Sequence, residues 1–258
     1  MPTNFLPLYR RELASYVTSP AVYAAVAIFF FLSGLFFFGV LISFSEASTN
    51  AEYRRQLGME QVNFTLHVAG QLFASVNFLL VMLTPMFTMR LLAEERKTGT
   101  FELLTSLPFS DMDIVLSKFL AAWTLLLAIL TMSLVYVGVM MAVGRPEVPV
   151  LLVAYLGLAL ASAVYAAIGL FASSLTENQI VAAIVGLAGL LAFFLVGDIL
   201  PGSSDGVGRV LERLSLRAHT EQFTRGLIRL EDMTYLILMT VTFLFLTLRV
   251  LEVRRWKV

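Results

Sequence analysis

The sequence predicts an all-α polytopic membrane protein with six transmembrane helices. Three observations lead there. Of 258 residues, 59% are hydrophobic and 14% charged, where a soluble domain carries roughly 25% charged residues. Mean hydropathy is +0.85. Finally, uncharged apolar runs repeatedly approach the roughly 20 residues a helix needs to cross about 30 Å of hydrocarbon. Helices satisfy their own backbone groups in lipid, and none of the runs alternates as barrel strands do.

In chain order, residues 1–19 read as an amphipathic interfacial helix. Leu6, Tyr9, Leu13 and Tyr16 are expected on one face, with the charges of Arg10, Arg11 and Glu12 turned toward another. This N-terminus lacks a short apolar core followed by a small-residue cleavage site, so it is expected to be retained. Ser19-Pro20 then caps the first span, with Pro at the tolerated first helical position. The spans are read as 21–44, 68–89, 119–143, 148–171, 179–196 and 233–248. The last two are short, so the chain around Leu200 and Asp232 is expected to be sunk in the interface or covered by protein. Residues 200–232 interleave five arginines with Leu211, Leu214, Phe223, Leu227 and Ile228, the pattern of an amphipathic segment lying on or dipping into the surface.

Residues 90–118 form a structured polar connection between spans two and three. The second span is expected to continue as helix through Arg96 and Lys97, where cations suit a helix C-terminus. Gly99 suits a left-handed position and Thr100 an N-cap. A short helix over 101–107 ends at Pro108, and Ser110 with Asp113 opens the next as a capping box. Thr176 through Gln179 reads as another capping box, between spans four and five.

Orientation follows from Lys and Arg in the flanks. With the N-terminus in the cytoplasm, that side holds Arg10, Arg11, Arg90, Arg96, Lys97, Lys118, Arg249, Arg254, Arg255 and Lys257. The other side holds Arg54, Arg55, Arg145 and the five arginines of the amphipathic segment. With that segment set aside, the comparison is ten against three, and both termini are placed in the cytoplasm.

Several chemistries are excluded. Formal net charge is zero and gives no footprint for nucleic acid. Without cysteine there is no disulfide, thiolate site or cysteine nucleophile. His67 and His219 lie in different outer segments without a ligand cluster, so no metal site is assigned. No Gly-x-Ser-x-Gly elbow, His-Glu-x-x-His helix or paired aspartates occur, so no catalytic residue is assigned. None of Lys97, Lys118 and Lys257 follows a glycine, so the phosphate-binding loop of nucleotide enzymes is missing. The six spans also lack ionisable residues of the kind proton-coupled carriers keep at membrane depth. Asp198 reads as a solvated helix-end carboxylate. Ala182 and Gly186 mark a close helix contact.

The run Glu94-Glu95-Arg96-Lys97-Thr98-Gly99-Thr100-Phe101-Glu102, continuing to Pro108 and then Ile114 to Lys118, resembles the loop between the second and third helices of type-2 ATP-binding-cassette exporter permeases. The branch it looks most like is the gliding-motility-associated group, with nitrous-oxide-reductase maturation permeases close by. Tyr9-Arg10-Arg11-Glu12-Leu13 is similar to that family's interfacial helix, and Thr176-Glu177-Asn178 to its second cytoplasmic turn. Ala218 to Gly226 resembles its outer segment, departing at Thr220 where an aromatic is expected.

The resemblance implies a half-transporter in a cell membrane, expected to be a bacterial inner membrane. Two copies would sit side by side, each on a cytoplasmic ATPase subunit that holds ATP and Mg, with no cofactor bound by this chain. Residues 94–102 would be the ATPase-coupling element, and Thr176, Glu177 and Asn178 a lesser contact. Accessory membrane or periplasmic subunits are compatible with this reading. The exported substrate is left open, as is the alternative of a secondary transporter or channel with no ATPase.

Overall fold

The computed structural model describes residues 5–50, 64–99, 110–198 and 206–255. Among them no strand forms, and six helices are long and apolar enough to cross a membrane: Pro20–Thr49, Thr65–Lys97, Asp111–Val143, Val148–Leu175, Gln179–Asp198 and Leu230–Val253. Because the spans alternate in direction, the chain enters and leaves at the same end of the bundle. That end is called the terminal end here, and the opposite one the far end.

Helix α1 (Phe5–Val17) precedes span one, which begins at Pro20. Span two is built from α3 (Gly70–Thr88), preceded by a π-helical turn at Thr65–Ala69, and α4 (Arg90–Lys97). Between spans five and six lie two short helices, α9 (Gly206–Leu214) and α10 (Leu216–Thr224).

Span four is the axis of the bundle and packs against spans two, three, five, six and α10. Spans two and four are each 67% buried over their most apolar stretch, whereas spans five and six are 22% buried. The sequence of span four explains this position. Ala154, Gly157, Ala161, Ala166, Gly169 and Ala172 line its buried surface, and small residues let helix backbones approach closely. A Cβ at Gly157 would stand 2.3 Å from Cβ of Phe223 on α10, and one at Gly169 would stand 2.2 Å from Oγ1 of Thr88 on span two. Both distances are closer than any two carbon or oxygen atoms can pack, so these contacts require glycine. Ala182 and Gly186 are buried in span five, and Gly186 faces Ala172 and Pro85.

Two local readings are corrected. The buried face of α1 is Leu8, Glu12 and Tyr16, while Leu6 is exposed. Glu12 turns inward because Lys118 of span three meets it, as described below. The helix of span five is capped by Asn178, whose side chain accepts from the Ile180 amide, and not by a Thr176 capping box. Thr176 is extended at the end of span four and its hydroxyl instead accepts from the Asn178 amide. The capping box at Ser110 and Asp113 forms in both directions, and Gly99 has the left-handed φ of 71°. The helix expected over 101–107, with Thr100, Phe101 and Glu102, lies outside the described residues.

The segment before span six dips into the bundle. The α10 hydroxyl of Thr220 accepts a hydrogen bond from Asn77 Nδ2 at 3.0 Å. Asn77 lies 12 positions after Thr65 (77 − 65), about 18 Å along span two at 1.5 Å per residue, roughly half the depth of a bilayer.

Candidate coupling site and central cavity

Three elements meet at the terminal end. The start of span three buries Lys118, whose side chain is 2% exposed. Its ammonium reaches Glu12 of α1 at 3.1 Å and Glu95 of α4 at 2.9 Å. Arg11 closes the group from the solvent side, 2.8 Å from both Glu12 and Glu95. Two cations and two carboxylates thus alternate, so the cluster is neutral and each buried charge has an opposite neighbour. Burial works against the Arg11 charge, but Glu12 and Glu95 outweigh it and raise the affinity of the guanidinium for its proton.

Around this cluster α1 is held by polar contacts. Tyr16 donates to the Phe87 carbonyl of span two at 3.0 Å and is fully enclosed, which pushes its phenol above the ordinary range. Tyr9 bonds Thr124 of span three at 3.0 Å. Arg90 donates to Ser19 Oγ at 3.0 Å, so Ser19 occupies the N-cap position of span one without a side-chain cap bond.

Span two is interrupted between α3 and α4 at Met89, four residues beyond Pro85, which has no amide to donate. The break is filled by Ser173 of span four. Its hydroxyl accepts from the amides of Leu92 and Ala93 and donates to the Met89 carbonyl, each at 3.0 Å. A side chain inserted into the hydrogen-bond ladder is a recognised cause of a helix bend. Arg96 adds a bond to the Ser174 carbonyl. Consequently α4, which leads to Gly99, is fastened to the end of span four, which leads to Thr176, Glu177 and Asn178.

The residues singled out in the sequence therefore fall into two groups. Glu12, Arg11, Tyr9, Glu95 and Arg96 are in the junction or its supports. Arg10, Glu94, Lys97, Thr98, Gly99, Glu177 and Asn178 are exposed on its surface, and Thr176 is half-buried. Sequence reasoning counted Lys118 and Arg90 as flanking charges, and Lys118 also as the end of the loop motif, but assigned no contact to Lys118, Arg90 or Ser173. The signal for Lys118 was its position inside the apolar helix of span three, one residue before Phe119.

At the far end, a cavity of about 890 Å³ opens between span one (Phe36), span two (Gln71, Asn77, Phe78), the end of span five (Phe194) and α10 (Arg217, Thr220, Glu221). Its inner limit is a buried polar bridge. Tyr165 of span four donates to Asn77 Oδ1 at 2.7 Å, and Asn77 donates to Thr220, whose hydroxyl passes on a bond to the Leu216 carbonyl at 2.9 Å. Every polar atom of that bridge located in the apolar interior thus has a partner, as burial demands. Asn77, the lone amide in the interior of span two, was visible in the sequence and was passed over. Asp198 pairs with Arg217 at 2.6 Å, both half-exposed. Among the described residues no group of three or more His, Asp or Glu side chains could hold a metal ion.

The fold and its two polar sites define a polytopic helical membrane protein, with a fastened connection at one end and a cavity at the other. Residues 6–254 match the family model described as ABC-2 family transporter protein, and the chain belongs to that family, a membrane transport component. No curated protein matches the sequence.

Proposed function

We propose that this chain is the permease subunit of an ATP-driven exporter. Two copies stand side by side in a cell membrane with their termini in the cytoplasm, each seated on a separate ATPase subunit that binds ATP and Mg. The order of the motifs places it nearest the gliding-motility-associated and nitrous-oxide-reductase maturation branch. Residues 94–102 receive the ATPase, and Thr176 to Asn178 make the lesser contact. The cavity bordered by spans one, two and five, walled by α10, is the vestibule through which cargo leaves.

The observation that carries this reading is the Lys118 cluster. Glu95 precedes the loop 98–110 and Lys118 follows it, so a single ionic group ties both arms of that loop to each other and to α1. Flanking arms so clamped are joined to one another and to α1, which is what a push from a closing ATPase requires.

The test is isolation of the tagged chain from its native membrane, followed by reconstitution. A stoichiometric ATPase subunit is expected, cross-linking to a cysteine placed at Thr98 in this cysteine-free chain. Gly99→Pro is expected to preserve insertion and assembly while separating ATP hydrolysis from transport. Transport that persists with no ATPase subunit present would overturn the proposal and favour a secondary carrier.

A further inference from the structure

We infer that His219 and Asp232 form a proton-binding staple that holds α10 against the last span. The two side chains sit at the junction of α9, α10 and span six. His219 Nδ1 lies 2.6 Å from Asp232 Oδ1, and His219 Nε2 lies 3.0 Å from the Arg213 carbonyl oxygen. A carbonyl only accepts, and so does a carboxylate. A neutral imidazole has one N–H and can serve one of these two acceptors, leaving the other opposite a lone pair. Both bonds form together only when the pair holds one further proton. That is true whether the proton resides on the imidazole or on the carboxyl, because an imidazolium with a carboxylate and an imidazole with a carboxylic acid have the same proton count.

Arg213 lies in the last turn of α9, where unsatisfied carbonyls carry partial negative charge. The other carboxylate oxygen of Asp232 is buried without a hydrogen-bond partner among the described residues, so His219 is the partner the group has. The Tyr235 ring stacks on the imidazole at 4.0 Å and its hydroxyl donates to the Leu214 carbonyl, closing the remaining side. Of the neighbouring charges, Arg217 pairs with Asp198 and Arg225 with Glu221, while Glu212, Arg213, Arg229 and Glu231 are exposed to solvent. Span two meets α10 through the uncharged Asn77 at Thr220, and span four meets it where Gly157 lies against Phe223.

When the proton leaves, one of the two bonds is lost, and α10 is left with its packing, the Asn77 bridge and the half-exposed Arg217–Asp198 pair. Because α10 supplies Arg217, Thr220 and Glu221 to the cavity wall, the staple makes that wall firmer in acid and looser in base. This consequence for transport rests on the permease reading; the proton site itself does not.

The experiment is amide hydrogen exchange on the full chain in lipid nanodiscs from about pH 6 to about pH 9, a window that spans histidine titration. Protection of residues 216–224, corrected for the intrinsic pH dependence of exchange, is expected to fall about tenfold or more as pH rises, the size of one charge-assisted hydrogen bond, while that of residues 155–170 holds. Asp232→Asn and His219→Gln are each expected to flatten the step. The chain has two histidines, so nitrogen-15 imidazole spectra of the unmodified protein give a second reading: His219 shows two N–H groups, or one hydrogen-bonded to a protonated Asp232, at the acid end. A flat exchange profile, a step that survives both substitutions, or a His219 neutral beside an ionised Asp232 at about pH 6 would overturn the inference. None of these readouts involves ATP or an ATPase, so they separate its failure from that of the permease assignment.

Discussion

Replacing Lys118 with methionine removes the ammonium and keeps most of the apolar stem. The pairs at 3.1 Å and 2.9 Å each have a Coulomb attraction of about 5 kcal/mol at an effective dielectric constant near 20. That gross figure is offset by the cost of taking three ions out of water. Removing one partner from such a buried group typically costs about 3–5 kcal/mol, because the charges left behind stay uncompensated. Arg11 is 54% exposed and contacts both carboxylates, so it softens the loss without cancelling it. The cluster ties α1 to spans two and three, so α1 is expected to detach at least a hundredfold more often, the factor that about 3 kcal/mol represents. Leu8 and Ile114 pack together beneath α1, and the natural chain has no cysteine. Disulfide trapping between Leu8→Cys and Ile114→Cys therefore measures docking directly. Trapping should slow in Lys118→Met and recover in the triple variant Glu12→Gln, Glu95→Gln, Lys118→Met, where the one charge left, Arg11, is more than half exposed to solvent. Undiminished trapping in Lys118→Met, or a triple variant as poor as the single one, would refute the electrostatic argument.

Other substitutions test other contacts. Asn77→Leu leaves the Tyr165 hydroxyl without its buried acceptor and should lower stability by about 1–3 kcal/mol, read as an earlier thermal transition in detergent. Gly157→Ala forces a methyl against Phe223 and should cost about 1–3 kcal/mol through overpacking, with faster proteolysis of the 216–224 segment. Ser173→Ala removes the hydroxyl serving Leu92, Ala93 and Met89; exchange at those amides should accelerate about tenfold, with far-end amides of span two unchanged.

The spans were legible in the sequence because they depend on length and composition, which are local properties. The Ser110 cap and the left-handed Gly99 were legible for the same reason, each being decided within about four residues. The face of α1 was not. Its periodicity allows a stripe through Leu6, Tyr9, Leu13 and Tyr16 or one through Leu8, Glu12 and Tyr16, and the second prevails because Lys118 supplies Glu12 with a partner from a remote part of the chain. Thr220 is a similar case. Compared with its family it looked like a missing aromatic, yet it is the small hydroxyl that Asn77 requires at that place. Polar bridges between distant segments leave no periodic trace, and this explains why the partners of Tyr165, Asn77 and Ser173 emerge only once the helices are assembled.

The break at Met89 also sets the route that force must take. A continuous helical rod would convey twist along its own shaft, but here the shaft is severed and its lower piece is clasped by a neighbour's hydroxyl. If the chain is driven through the loop beyond Lys97 as proposed, torque applied there would reach span four, the central post of the bundle, through Ser173 and Ser174 as well as the upper half of span two.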